Sequence, residues 1–530
     1  MIQRPTIPSV PVLLAALALV LAAILAGTAP AAAVTDGASP EAAPGAAETS
    51  AHGEEKEGPE LPAGAELVEH DRRVFKPDPT YAHEPYDPAA QLAIYGDKHL
   101  NRTARPLLEL GRPLYREGPL EPAKAWFGAK NPASPHLMVY GDLRTAAAYN
   151  DFGAADASGK SYQATVATRL NLELDFKLTA TERLHLFVRP TERDGRFTRY
   201  DISGRNEGFE EELDLDLDTL FFEGEVGPIF RGMSGRENQI DLPFAVGLFP
   251  LFTQNGVWTE DAVTGGAFTI PAFSSNALGA SNIDLTFFAA FDEVTTAAVT
   301  RADGTLADTA DLFGVAGFVE ANEGFWELGY GFVDAGLDEL DYHNLTVAFS
   351  RRYGGRVANS VRLIANLGQE PVPGREKTAD GALVLVESYL MTSRPYTLVP
   401  YLNLFAGFDR PQALVRAADA GGVLKNTGIN FETDGLTGYP KLDDRAHDAF
   451  GGALGVQYLF ALDQQIVIEG AVVQRIGGGV TEALGDEYAL GIRWQKPVTN
   501  AWIVRADAMH GWLADRENLY GVRVELRRKF

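Results

Sequence analysis

Charged side chains at every second position are where this chain could do chemistry. Asp214, Asp216 and Asp218 alternate with leucines in Leu213-Asp-Leu-Asp-Leu-Asp218. On a strand their carboxylates share one face, ~7 Å apart. Such a ladder attracts cations or contributes to a Ca²⁺ site. A straight strand spreads its oxygens, which favours a solvated wall over a metal centre. No metal or other cofactor is expected. Arg352, Arg362, Arg475, Arg493, Arg505 and Arg523 recur later on the polar side of alternating segments. As neighbours they would form a positive wall that concentrates counter-ions. Equally, Glu469, Glu487, Asp507 and Glu525 are placed to pair with them across strands. Residues 249–273 mix aromatics and glycines with two adjacent acids, Glu260 and Asp261. Read blandly, that stretch is an extracellular loop packed by its own aromatics.

Enzyme readings find no support. The nine His form no HExxH or other paired ligand spacing, and Gly-x-Ser-x-Gly is absent. Gly477-Gly-Gly-Val480 lacks the strand-to-helix setting of a phosphate loop. A net charge of −26 argues against a nucleic-acid partner, which needs a basic face. The chain has no cysteine, which excludes disulfides, thiolate metal sites and a c-type haem of its own.

These side chains need elements to hold them. Residues 1–33 read as a secretory signal: Arg4, an apolar run from Val12 to Ala26, then Thr28-Ala-Pro-Ala-Ala-Ala33 for cleavage. That run is shorter than the ~20 residues of a spanning helix, and no apolar run of ~18 follows. Residues 34–66 are rich in Ala, Gly, Pro and Glu, with eight acids against Lys56 alone. Such a tract buries too little to offset its ordering entropy, and disorder is expected. Residues 67–135 are punctuated by proline and read as a periplasmic extension. Short helices are expected over 87–95, capped by Asp87, and from Arg105 to Leu110.

From residue 136 onward the pattern is period two. Val166, Leu170, Leu172, Leu174 and Phe176 oppose Arg169, Asn171, Glu173 and Asp175. Leu345, Val347 and Phe349 oppose Asn344, Thr346 and Ser350, and similar segments recur to the end of the chain. Short connections over 179–183, 461–465 and 496–500 alternate with long ones over 190–212, 254–281, 369–381 and 409–445. Alternating strands joined by short and long loops in turn are what a water-filled membrane barrel requires.

The last eleven residues carry the family resemblance. Tyr520, Val522, Val524, Leu526 and Phe530 fall on one face, with Arg523, Glu525, Arg527 and Lys529 on the other. A strand that closes on an aromatic carboxylate resembles the assembly signal of Gram-negative outer-membrane β-barrels. Over residues 136–530 the chain resembles such a barrel of porin type. The implied fold is all-β, an antiparallel transmembrane β-barrel of about 16 strands (16–18), behind a mostly irregular N-terminal extension. The resemblance implies residence in the cell outer membrane after signal cleavage. It also implies barrel-assembly machinery and outer-membrane lipid as partners, and passive diffusion of small hydrophilic solutes. A homo-oligomer is compatible with it. Residues 249–273 resemble the loop that folds into the lumen of general porins, which would set Glu260 and Asp261 against the arginine wall. Two other readings stay open: a sheath around a partner protein, and a surface adhesin or receptor working through 409–445.

Overall fold

The structure, a computed structural model, describes residues 104–111, 124–125 and 128. From 131 to 530 it describes all except 194, 300–309, 337, 371–376, 395–396, 418–419, 461–463 and 478–484. The expected signal segment, acidic linker and helix over 87–95 lie outside the described residues, as do most of Gly477–Val480 and part of the turn 461–465.

Eighteen strands form the wall. They are β1 (His136–Asp151), β2 (Tyr162–Lys177), β3 (Arg183–Val188), β4 (Leu217–Glu225), β5 (Pro243–Thr253) and β6 (Thr259–Ser275). Next come β7 (Ala280–Val294), β8 (Ala310–Ala321), β9 (Gly324–Asp334), β10 (Tyr342–Tyr353), β11 (Val357–Leu367) and β12 (Asp380–Leu390). The last six are β13 (Leu398–Arg410), β14 (Ala449–Phe460), β15 (Gln464–Arg475), β16 (Glu487–Pro497), β17 (Trp502–Leu513) and β18 (Leu519–Lys529). Each pairs antiparallel with its sequence neighbour, and β18 returns to β1 from Asp142↔Lys529 to Asp151↔Tyr520. The ring is thereby closed. Phe530 seals it: its N–H donates to the Gly141 carbonyl at 3.1 Å, and the Gly141 N–H donates to the Phe530 carbonyl at 2.9 Å.

The strand count corrects the expectation of about 16. Thr259–Ser275, read from sequence as a long loop, is β6 and spans 17 residues. Gly265, Gly266, Ala267 and Pro271 hide its alternation, because glycine and alanine mark neither face. A bulge adds to the disguise: the β6–β7 register shifts between Ile270 and Phe273, and Ala272 has φ 54°. The helix expected from Arg105 to Leu110 is also corrected. Leu108–Leu110 is a short strand paired with Leu137–Val139, on the edge of β1 below the point where β18 ends.

The wall is inverted relative to a water-soluble sheet. Leu345, Val361, Leu404, Leu454, Ile468, Leu490, Val522 and Leu526 are exposed. Asn344, Arg362, Asn403, Glu469, Glu487, Asp507, Arg523 and Glu525, on alternate positions, are buried. Apolar outside and polar inside is the partition of a barrel in lipid. Aromatics mark both ends of the outer face. Tyr149 stacks on Tyr162 at 5.8 Å and on Tyr520 at 6.1 Å near the long loops. Arg528 lies over the Trp502 ring at 5.6 Å at the short-turn end. Among the described residues no helix is long and apolar enough to span a membrane. One nine-residue helix, α1 (Val226–Ser234), joins β4 to β5.

A charge at the middle of the outer face should therefore be costly. Leu490→Arg is expected to destabilise the folded barrel by about 2–4 kcal/mol, measured by reversible denaturant unfolding from lipid vesicles. A cost near zero would mean that this face meets water.

Candidate functional site

The connection from β13 to β14, residues 411–448, turns into the barrel and is fastened to its wall. Its start is held on β10. The Tyr342 hydroxyl donates to the Leu414 carbonyl at 3.2 Å, and Asn344 Nδ2 donates to the Gln412 carbonyl at 2.9 Å. Val415–Arg416 pairs in parallel with Thr259–Glu260 of β6. Arg416 lies 3.2 Å from the Glu260 carboxylate, which also pairs with Lys425. Burial pushes the Arg416 guanidinium below its usual range, and Glu260 opposes that shift.

The middle of the loop crosses to β15–β18. Glu469 of β15 is fully buried and accepts the N–H groups of Ile429 and Asn430, both at 2.9 Å, and the Tyr401 hydroxyl at 2.5 Å. These are neutral donors arranged around one carboxylate. The wall is cut back to admit the loop. A Cβ on Gly491 would stand 2.5 Å from Asn430 Oδ1. Farther along, Leu436 packs with Phe197, Ala146 and Ala167, and Asn150 Nδ2 donates to the Thr437 carbonyl at 2.8 Å.

Between these anchors lies the densest charge cluster. Arg493, Arg505 and Arg523 come from β16, β17 and β18 and converge on Asp507, at 2.7, 2.9 and 2.9 Å. The loop supplies the other carboxylates. Glu432 is 2.6 Å from Arg493 and 2.9 Å from Arg505, and Asp434 is 2.7 Å from Arg523. Three guanidiniums thus meet three carboxylates. Burial alone would raise the Glu432 and Asp434 carboxyls. Arg493 and Arg505 beside Glu432, and Arg523 beside Asp434, outweigh it and hold both below the usual carboxylate range.

Of the two readings the sequence left open for these arginines, a positive wall or pairing with carboxylates, Arg493, Arg505 and Arg523 show pairing. The partners expected for them are only partly the observed ones. Asp507 is among them, while Glu469 binds the loop backbone and Glu487 pairs with Arg516 at 2.6 Å. Glu432 and Asp434 were missed because a loop carries no periodicity; their only sequence signal is acids within a long Gly-rich connection. Arg362 sits apart, buried on β11, 3.1 Å from Glu387 and 3.5 Å from Glu327. Arg475 is at the long-loop end of β15, where its N–H donates to Asp486 at 3.3 Å. Arg352 is exposed at the short-turn end of β10.

The lumen loop expected over 249–273 is corrected. Most of it is the β5–β6 hairpin, and only its tip turns inward. Trp258 is fully buried there and donates to Asn344 Oδ1 at 2.7 Å. Gln254 Oε1 accepts from Thr346 at 2.8 Å and from Arg362 at 3.1 Å. Glu260 meets Arg416 and Lys425, not Arg493, Arg505 or Arg523. Asp261 accepts the N–H of Ala262 at 2.8 Å. The aspartate ladder is corrected too. Residues 211–216 form no strand, and Asp214 instead accepts the Asp216 N–H at 2.9 Å. Asp214 also lies 3.5 Å from Arg193, and Asp218 pairs with Arg189. Among the described residues no group of three or more His, Asp or Glu is arranged to hold a metal ion.

No protein-family model matches the chain, and no curated protein matches it by sequence. Solved structures of similar shape include OpdQ of Pseudomonas aeruginosa (10% identity, TM-score 0.47, 74% of this chain and 98% of that one). The outer membrane protein opdK of the same organism is 11% identical, with a TM-score of 0.46 and the same coverages. OccAB4 of Acinetobacter baumannii is 9% identical, with a TM-score of 0.47 and again 74% and 98%. At these values the likeness carries no argument about what this chain does.

Two outcomes test the fastening of the loop. Removing one member of a buried charge cluster leaves its partners uncompensated, so Asp507→Ala should cost about 3–5 kcal/mol, read by denaturant unfolding. The second outcome concerns pH. The folded carboxyls of Glu432 and Asp434 lie below their unfolded values, so their contribution is full above ~4.5 and is lost only as pH falls through the lowered values. Protease cutting within 411–448 should stay unchanged from pH 7 to 5 and rise only below ~4. Cutting that rises at pH 6 would assign the fastening to other groups.

Proposed function

We propose that the chain is an outer-membrane channel for small hydrophilic solutes, and that residues 411–448 form its constriction. The observation that carries this reading is a closed barrel, apolar outside, whose interior charges remain reachable by water. The Glu432 side chain lies deep between the loop and β16–β17 and is still 35% exposed. Glu327, on the inner side of β9, is 30% exposed. Water at both places supports an aqueous passage beside the loop rather than a sealed core.

Charge order within the pairs supports a preference for cations. Arg493 and Arg505 are 15% and 18% exposed where their partner Glu432 is 35% exposed. Arg362 is 4% exposed where Glu327 is 30% exposed. At these two places the guanidiniums stand behind and the carboxylates in front, so an ion passing beside the loop meets negative charge first, although Arg144 and Arg527 around Asp142 and Arg516 against Glu487 have the opposite order. Asp434 and Glu469 are held inside the cluster and act by positioning the loop. Signal cleavage, the assembly role of Tyr520, Val522, Val524, Leu526 and Phe530, and a homo-oligomeric state belong to the same proposal. So does an acidic 34–66 linker ahead of the barrel.

Single-channel recording of the full chain in a planar bilayer tests it. The expected result is stable ohmic steps with a cation-selective reversal potential in a KCl gradient. Glu432→Gln should shift that potential toward anions by exposing Arg493 and Arg505. The absence of steps in the full chain would overturn the channel reading. Steps with anion selectivity would overturn the charge order while leaving the channel intact.

A further inference from the structure

The barrel wall is not evenly laddered. β4 and β5 pair from Glu225↔Pro243 up to Leu220↔Leu248, and the ladder stops there. β5 runs on to Thr253, and those last residues ladder only with β6. On the other side, β4 reaches back to Leu217, and residues 211–216 before it form no strand. Two wall edges, 211–219 and 249–253, thus continue past the last shared pair without a common ladder. Pro250 sits on the unladdered edge, where a residue with no N–H leaves no donor unpaired. The Thr219 hydroxyl, on the facing edge, is buried with no hydrogen-bond partner.

Apolar side chains line this seam on its outer and inner faces, alternating along 213–218 with Asp214, Asp216 and Asp218. Outside, Leu215 is 77% exposed and Phe252 58% exposed, with Leu213 and Leu217 also exposed. Inside, Phe249 and Leu251 belong to a buried cluster with Trp258, Val263 and Phe288. Below that cluster Phe221, Ala245, Ala267 and Ala316 form a partly exposed apolar strip on the inner face. An apolar inner strip is foreign to a wall that only conducts hydrophilic solutes. Beside the outer edge, Arg193 donates to the Leu213 carbonyl. Arg193 is half exposed with a carboxylate partner no closer than 3.5 Å, and Arg196 is 60% exposed with one at 3.7 Å. Exposed guanidiniums with carboxylate contacts this long can exchange them for a closer anion.

We propose that the seam between β4 and β5 is a lateral passage between the lumen and the surrounding leaflet for single-chain amphipaths with an anionic head. The acyl chain slides between Leu213–Leu217 and Phe249–Phe252 onto the apolar inner strip, and the head is received by Arg193 and Arg196. Passage breaks no backbone hydrogen bond, because none joins the two edges there. The proposal rests on the membrane reading given above.

Trp258, behind the seam and shielded from lipid, is a built-in reporter. The full chain in vesicles is titrated with 9,10-dibromostearate, a quenching fatty acid. The expected result is a quenched component that disappears in Trp258→Phe. Because the chain has no cysteine, the pair Thr219→Cys and Phe249→Cys, both buried on the inner face one step past the Leu220↔Leu248 pair, can be closed by oxidation alone. Closure should abolish the Trp258 component, and reductant should restore it. Conductance in KCl should be the same in both states; its absence would strike the channel reading and leave the seam result separate. Quenching that persists after closure, or that lacks a Trp258 component, would overturn the proposal. The wild-type chain offers a second measurement through photolabelling with a diazirine fatty acid. Label concentrated in 208–219 and 249–258 supports the passage, and label spread evenly around the outer face overturns it.

Discussion

Backbone groups inside an apolar medium must find partners within the protein, and the rest of this structure depends on that constraint. A sheet open at one edge would leave a row of N–H and C=O groups against hydrocarbon. Closure between β1 and β18 removes the edge. The terminal residue contributes directly, since Phe530 exchanges two hydrogen bonds with Gly141. Once the ring is closed, alternation does the remaining sorting. Every second side chain faces outward and most of these are apolar, while the others face an interior that tolerates charge only where it is paired or wet.

The interior solves that second problem with a loop rather than with the wall alone. Arg493, Arg505 and Arg523 on adjacent strands would repel one another around the single carboxylate of Asp507. Glu432 and Asp434 complete the balance from 411–448. Buried charge of this kind adds little net stability over an apolar packing, because desolvation offsets the Coulomb gain. What it supplies is position: a carboxylate that must sit between two guanidiniums fixes where the loop crosses. Glu469 does the same with neutral donors, which hold the backbone of Ile429 and Asn430.

Much of the wall was legible because period two is a strong signal when both faces carry marked residues. β2, β10, β11 and β18 alternate leucine or valine with charged or amide side chains and need no further information. β6 was illegible for the opposite reason. Its inner positions include Gly265 and Ala267, and Pro271 with the bulge at Ala272 breaks the count. Leu213–Asp218 shows the converse failure, an unbroken alternation of which only the end joins a ladder. Pattern reports which face a side chain prefers. It does not report whether a neighbouring strand is present to complete the hydrogen bonds.

The sequence by itself determined an all-β chain with one apolar and one polar side per strand, a final strand ending on Phe530, and arginines on the polar side. Those are properties of neighbours two residues apart, and periodicity records them. Only the tertiary structure decided that there are eighteen strands, and that the arginines are matched by Glu432 and Asp434 rather than left as a positive wall. It also decided that 411–448, not 249–273, crosses the lumen. The reason is physical: those outcomes depend on groups some 60 to 90 residues apart meeting across a closed ring, and no local pattern encodes such a distance.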